Sequence, residues 1–464
     1  MTSVVIVGGG PGGYEAALVG RQLGADVTLI DSDGIGGSAV ITDCVPSKTL
    51  IAAAELMTEV GRANELGLML RDGVRPEGLI SPDLTAINQR VKGLAMEQSA
   101  DIEERLVRHG VDVVKGFGRL DGSGAVVATT PDGGERRFEA DSILVATGAT
   151  PRTLPSAMPD GERILTWEQV YDLAETPTHL IVVGSGVTGL EFASAYLALG
   201  IPVTLVSSRD RVLPGEDADA AAVLEEVVTR KGMTVLGRSR MASVTRDGDT
   251  VTVTLEGGQS VTGSHCILAL GSIPNTAGIG LETAGVETDK GGFVTVDRVS
   301  RTNVRGVYAA GDCTGVFMLA SVAAMQGRIA MWHLLGDAVS PLDVWKVSSN
   351  VFTSPEIATV GTTQQQIDDG TYQAEIVMLP LATNPRAKMK GLHDGFVKLL
   401  VSPGSGRVVG GVVVGPNASE LIHPVSVAIT ARMTADELAQ AFTVYPSLSG
   451  SVAEVARRLH HFDR

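Results

Sequence analysis

The 464-residue sequence predicts an α/β chain, with two doubly wound parallel-sheet units followed by a smaller α+β domain. A strand, glycine-rich turn, helix and strand over residues 3–31 recur over residues 179–207. From first glycine to strand end the two units run 8 to 31 and 184 to 207, an identical interval. Two βαβ units at one spacing are far stronger evidence of parallel sheets than either alone. Each unit also closes later on an apolar strand running into a small-residue turn, at residues 143–148 and 267–271.

Residues 4–7 are apolar and lead into Gly8-x-Gly10-x-x-Gly13, an alanine-rich helix, and a strand over 26–31. In this spacing the first glycine permits a tight turn, the second lets backbone approach a pyrophosphate, and the third packs helix on strand. The helix N-terminus then offers free N–H groups to the anion. A single such motif also fits a plain structural turn. Asp31 at the strand end adds weight, because a carboxylate there accepts ribose hydroxyls. Between residues 48 and 110, Ala- and Glu-rich stretches carry a helical period. Short strands at 111–145 and 233–268 read as antiparallel additions to each parallel sheet.

The second unit repeats the plan with apolar residues 180–183, Gly184-x-Gly186-x-x-Gly189, and a strand over 202–207. Both units are therefore expected to be Rossmann-like, nucleotide-binding domains. An NAD-selective site places an acid at the end of that second strand. Here Ser207-Ser208-Arg209-Asp210-Arg211 supplies two guanidinium groups and no acid at the strand end, which predicts that NADPH is accepted alongside NADH. Surface ion pairing is the plain alternative for these arginines. Thr147, Gly148 and Gly271 fall in the closing turns, the expected crossings between the two units. Pro341 and a polar run mark a change of texture. The expected division is residues 1–150 and 273–345 for the first unit, 151–272 for the second, and 346–464 for the α+β domain.

A net charge of −16 argues against nucleic acid, whose phosphates are bound by clustered Lys and Arg. Cysteines at 44, 266 and 313 are too few for a disulfide framework, and no C-x-x-C or His-rich pairing suggests zinc. A cytoplasmic setting is expected. The first residues lack a basic n-region or cleavage site. No apolar stretch approaches the ~18 residues of a membrane helix, so the expectation is a soluble chain, at most peripheral to a membrane.

The run Gly36-Gly37-Ser38-Ala39-Val40-Ile41-Thr42-Asp43-Cys44-Val45-Pro46-Ser47-Lys48 resembles the redox loop of the flavoprotein disulfide reductases, the lipoamide dehydrogenase and glutathione reductase family. That family carries C-x4-C followed by x-P-x-K; here Ala39 replaces the first cysteine and Cys44 alone remains. The resemblance extends over nearly the whole chain. It implies two nucleotide domains, FAD first and NAD(P)H second, with a C-terminal dimerisation domain and a homodimer. Residues 302–312 are similar to the family's second FAD motif, which places Asp312 on the ribitol chain. Met318, Leu319 and Ala320 would then present N–H groups to the pyrimidine end of the flavin ring. Gly37 and Ser38 fall among the implied cofactor contacts. Residues 352–361 and 414–422 follow the family's interface domain.

By the same resemblance, Lys48 lies beside the flavin's reactive nitrogen and pairs with Glu191. The other half of the machinery departs from the family. Its signature H-P-T-x-x-E supplies a base from the partner subunit, whereas this chain reads Tyr445-Pro446-Ser447-Leu448-Ser449-Gly450. Tyrosine, with a pKa near ~10, is a poor base at neutral pH. None of the eight histidines falls near that motif; His460 and His461 are read as solvent-facing tail residues. Cys44 is open to two readings, a buried inert thiol or one against the flavin, and Cys266 and Cys313 read as core at apolar strand ends.

A reducible flavin without a thiol relay needs a diffusible acceptor. The expected activity is FAD-dependent NAD(P)H:quinone reduction by a ping-pong cycle, as in the quinone reductase branch of the family that lacks the disulfide. No quinone motif is present, and two alternatives stay open at this point. One is a soluble pyridine nucleotide transhydrogenase. The other is a flavin-binding redox sensor.

Overall fold

The computed structural model describes residues 1–69 and 80–459, so the expectation for His460 and His461 lies outside the described residues. The first unit is a five-stranded parallel sheet in the order Val307–Ala309, Ser142–Val145, Ser3–Val7, Asp26–Asp31, Asp112–Lys115. The second is also five-stranded and parallel, ordered Thr234–Leu236, Val203–Val206, Leu180–Val183, His265–Leu268, Ile164–Thr166. Leu180–Val183 is buried at all four positions. Such unbroken apolar runs are what a strand covered on both faces requires. A third, antiparallel sheet holds Ser348–Val351, Glu356–Gly361, Val408–Gly415, Phe396–Val401 and Glu375–Pro380.

Two expectations need correction. The antiparallel strands do not extend the parallel sheets. They form separate three-stranded sheets over 117–139 and 241–263, and only Asp112–Lys115 and Thr234–Leu236 join the parallel edges. Cys313 lies in the 3₁₀ turn Asp312–Thr314 rather than at a strand end, although like Cys266 it is fully buried.

Helix packing fixes the frame around the site. The helix Pro11–Gln22 lies against Ala320–Leu334, and a Cβ at Gly327 would stand 2.1 Å from the Gly12 carbonyl oxygen. One apolar core joins the helix Cys44–Gly61, through Leu50, Ile51 and Ala54, to Leu190, Phe192 and Tyr196 of the helix Val187–Ala198. Val351, Phe396 and Val414 of the third sheet belong to the same core. The elements that carry Lys48 and Glu191 are therefore held by close packing rather than by loops. Lys398, 1% exposed, adds a buried tie between the third sheet and the second unit. Its Nζ donates to Asp217 Oδ2 at 2.9 Å and Asp219 Oδ2 at 2.6 Å. Asp217 also caps the helix Ala218–Arg230 through the Asp219 and Ala220 N–H groups, so both of its oxygens are hydrogen-bonded.

Candidate active site

Both glycine turns are sterically obligatory. Gly8 sits at φ +109°, and a Cβ at Gly13 would stand 1.8 Å from the Gly8 carbonyl oxygen. The second turn matches it, with Gly184 at φ +116° and a Gly189 Cβ 1.9 Å from the Gly184 carbonyl oxygen. Gly10 and Gly186 begin the two helices without any side-chain cap, and the space beside Gly186 is open. Two helix N-termini thus face outward from the carboxyl ends of parallel strands with donors left for an anion.

The strand-end residues are more occupied than the sequence suggests. Asp31 Oδ2 accepts from Gly9 N at 2.6 Å, and Oδ1 accepts from Gly34 N at 2.6 Å and Asp33 N at 2.9 Å. Burial raises its pKa while these backbone donors oppose the rise, so Asp31 braces the glycine turn itself. The second strand ends at Val206, one residue short of the expected Ser207. Ser207 is 1% exposed and its hydroxyl lies 2.6 Å from Ser185 Oγ. Of the two expected guanidinium groups, Arg211 is turned onto the Pro214 and Glu216 carbonyls at 3.1 and 3.2 Å, while Arg209 is exposed. Sequence reasoning missed Arg238, also exposed, whose N–H donates to the Arg209 carbonyl at 2.7 Å. Its signal was available, because it follows the strand that flanks 203–206.

The loop before the long helix folds against the first turn. Gly37 is left-handed at φ +57°, and its Cβ would stand 2.8 Å from Gly10 Cα. Ser38 and Ala39 lie on the short helix Gly37–Ile41. The helix Cys44–Gly61 then sets Lys48 one turn after Cys44. Lys48 Nζ donates to Glu191 Oε2 at 2.7 Å and lies 4.9 Å above the Phe352 ring. Glu191, 4% exposed, uses its other oxygen to accept from Phe352 N at 2.9 Å. Burial pushes the Lys48 ammonium down, but Glu191, Cys44 and Asp43 reverse this and leave its pKa above the usual value.

Cys44 is one of three free cysteines, and its thiol is pushed up to about 12 by burial and by Asp43. It is therefore protonated at neutral pH and a poor nucleophile. Asp312 is pushed up to about 6 by burial and by Asp43. Asp43 itself was missed by sequence reasoning, although an acid directly before Cys44 is visible there. Lys48, Glu191, Cys44, Asp43 and Asp312 thus form one electrostatic cluster. Leu319 begins the helix Ala320–Leu334 without a side-chain cap, and Met318 beside it is 42% exposed. At the crossings, Asn275 donates to the Thr147 carbonyl at 3.0 Å and to the Gly148 carbonyl at 3.0 Å, while Gly271 accepts from Arg152 N. Tyr445 stands apart, 81% exposed with Phe442 and Val444 beside it. Gly450 opens the helix Gly450–Arg458, its N–H donating to Ser447 Oγ at 3.2 Å.

Residues 2–327 match the family model described as pyridine nucleotide-disulphide oxidoreductase, and residues 347–456 match the dimerisation domain of the same family. The chain belongs to this family. Among these oxidoreductases, it is 55% identical over all of its length and 95% of the relative's to a Mycobacterium tuberculosis protein named NAD(P)H dehydrogenase (quinone). It is 34% identical to a dihydrolipoyl dehydrogenase of Zymomonas mobilis, over 97% of this chain and 96% of that one. A crystal structure of LpdA from Mycobacterium tuberculosis superposes with a TM-score of 0.94 at 54% identity, covering 99% of this chain and 100% of that one. The Escherichia coli flavoprotein disulfide reductase RclA, 24% identical, shares the fold with a TM-score of 0.86 over 98% of this chain and 99% of its own.

Proposed function

We propose that this oxidoreductase passes a hydride from NAD(P)H to bound FAD and then reduces a diffusible quinone, in a ping-pong cycle without a disulfide relay. The observation that carries the proposal is the Lys48–Glu191 ion pair, its carboxylate buried and Lys48 one helix turn from Cys44, with Ala39 where a second thiol would stand. The Mycobacterium relative's name, at 55% identity, supports the quinone as acceptor.

The residues fit FAD in the first unit. The uncapped helix at Gly10 suits its pyrophosphate, and the Asp312 carboxyl, half-buried and without a hydrogen bond among the described residues, suits its ribityl hydroxyls. When bound, FAD would accept a hydride and release two electrons. The chain's own part is to hold Lys48 charged through Glu191 and to keep the ammonium from wandering. The uncapped N-terminus at Leu319 would favour negative charge at its mouth. The uncapped helix at Gly186 suits a pyridine nucleotide, with exposed Arg209 beside its 2′-phosphate. A homodimer, in which Tyr445 reaches the partner's flavin, would cover the exposed Phe442, Val444 and Tyr445. The domain division given above, and a cytoplasmic location, belong to the same proposal. Among the described residues no helix is long and apolar enough to cross a membrane.

Steady-state NADPH oxidation should be rapid with benzoquinone or naphthoquinone and negligible with lipoamide or glutathione disulfide. Substantial disulfide turnover would refute the proposal. Replacing Arg209 by Gln should raise the KM for NADPH by about tenfold, the loss of one charge-assisted hydrogen bond, and leave that for NADH nearly unchanged. Equal effects on both nucleotides would refute the 2′-phosphate assignment.

A further inference from the structure

Quinone reduction requires a proton that the nucleotide does not bring. NAD(P)H and one proton convert a quinone to a hydroquinone, the nucleotide giving a hydride and leaving as NAD(P)⁺. Two bonds to hydrogen form on the quinone oxygens, and an acid placed near the acceptor speeds the transfer of that proton. The place where the family keeps its base holds Tyr445 and Gly450 instead.

Asp43 joins the helices Gly37–Ile41 and Cys44–Gly61 and is held by its backbone. Its N–H donates to the Ser38 carbonyl at 2.7 Å, and its carbonyl accepts from Ser47 N at 2.7 Å. It occupies the N-cap of the second helix, yet its side chain caps nothing. Asp83, Asp217 and Asn384, at the N-caps of three other helices, all bond backbone N–H groups. The Asp43 carboxyl makes no hydrogen bond or ion pair among the described residues, and an aspartate that forgoes its local cap is free for another task.

The groups around it narrow that task. Cys44 and Lys48 face it from its own helix, Glu191 from Val187–Ala198, Asp312 from the 3₁₀ turn, and Glu168 and Tyr171 from the segment that follows the strand Ile164–Thr166 of the second unit. Lys48 and Glu191 hold each other. The thiol of Cys44, at about 12, and the phenol of Tyr171, raised well above its usual value by burial, are poor acids. Glu168 accepts from Thr42 Oγ1 at 3.3 Å, and Asp312 is assigned to the ribityl chain.

We propose that Asp43 is the acid that protonates the quinone oxygen, taking over on the Cys44 side the proton transfer that the C-terminal motif no longer performs. This rests on the quinone reading. Burial and Glu191 raise the Asp43 carboxyl above the usual range, with Lys48 opposing them. The protonated fraction therefore declines as pH rises through that raised value, and quinone turnover should decline with it.

The test uses the holoenzyme, with Asp43→Asn and Asp43→Glu beside the native protein. After anaerobic reduction by NADPH, reoxidation is followed with naphthoquinone, which needs a proton, and with ferricyanide, which takes electrons alone. Asp43→Asn should slow the naphthoquinone step by about 10²-fold, at the low end for a missing general acid, and abolish its decline with pH. Bleaching by NADPH and reoxidation by ferricyanide should lose far less than the naphthoquinone step, because Glu191 still holds Lys48, and Asp43→Glu should restore part of the quinone rate. Independently of turnover, a pH-difference infrared spectrum should show a carboxyl titration that Asp43→Asn removes. Native quinone rate and pH profile in Asp43→Asn would overturn the proposal. So would equal loss with both oxidants, the mark of a structural role. A native enzyme that ferricyanide reoxidises and quinone does not would overturn the quinone reading itself.

Discussion

Glu191→Ala should slow reduction of the bound flavin by NADPH about 10²-fold, the loss expected when a positioned reacting partner shifts by about an ångström. Glu191 is the ion-pair partner of Lys48 and holds Phe352 N through its second oxygen, so its removal frees both the ammonium and the strand end. The electrostatic sign is also fixed. Burial lowers the pKa of Lys48 and Glu191 raises it, so without Glu191 burial gains weight and the amine loses its charge at a lower pH than in the native protein. Stopped-flow bleaching across pH should show both the lower rate and the shifted limb. An unchanged rate would remove Lys48 and Glu191 from the donor side.

The second large effect separates the two nucleotide sites. Alanine is ordinarily favoured over glycine in a helix by about 1 kcal/mol. At Gly13 and Gly189 the new methyl would meet a backbone oxygen at 1.8 and 1.9 Å, so the helix must move off its strand. Gly13→Ala should purify without flavin colour. Gly189→Ala should stay yellow and fail to bleach at NADPH concentrations that saturate the native enzyme. Gly93, in the helix Leu84–Arg108 with nothing within 4 Å of its Cβ position, is the control and should tolerate alanine. A Gly189→Ala protein that bleaches normally would contradict the assignment of the second turn.

Much of this arrangement was legible in the residues because glycine spacing and unbroken apolar runs report directly on backbone geometry. The paired turns at Gly8 and Gly184 follow from patterns of that kind, whereas the Lys48–Glu191 pair was implied by the family resemblance and the last domain by the change of texture near Pro341. What escaped was decided by partners distant in sequence. Alternation reveals that 117–139 and 241–263 are strands, but not that they pair among themselves. Asp31 looks free at a strand end, yet three backbone N–H groups converge on it. Arg211 looks like a phosphate ligand until the carbonyls of Pro214 and Glu216 claim it. Asp43 is conspicuous only once its neighbours Glu191 and Asp312 are brought in from 148 and 269 residues away.

Anaerobic stopped-flow mixing of NADPH-reduced enzyme with naphthoquinone tests most directly whether electrons that enter at the flavin leave to a quinone rather than through sulfur. Reoxidation should be much faster than by air and should accelerate with quinone concentration, while lipoamide leaves the flavin reduced. Reoxidation by quinone no faster than by air, or an equally fast step with lipoamide, would contradict the account.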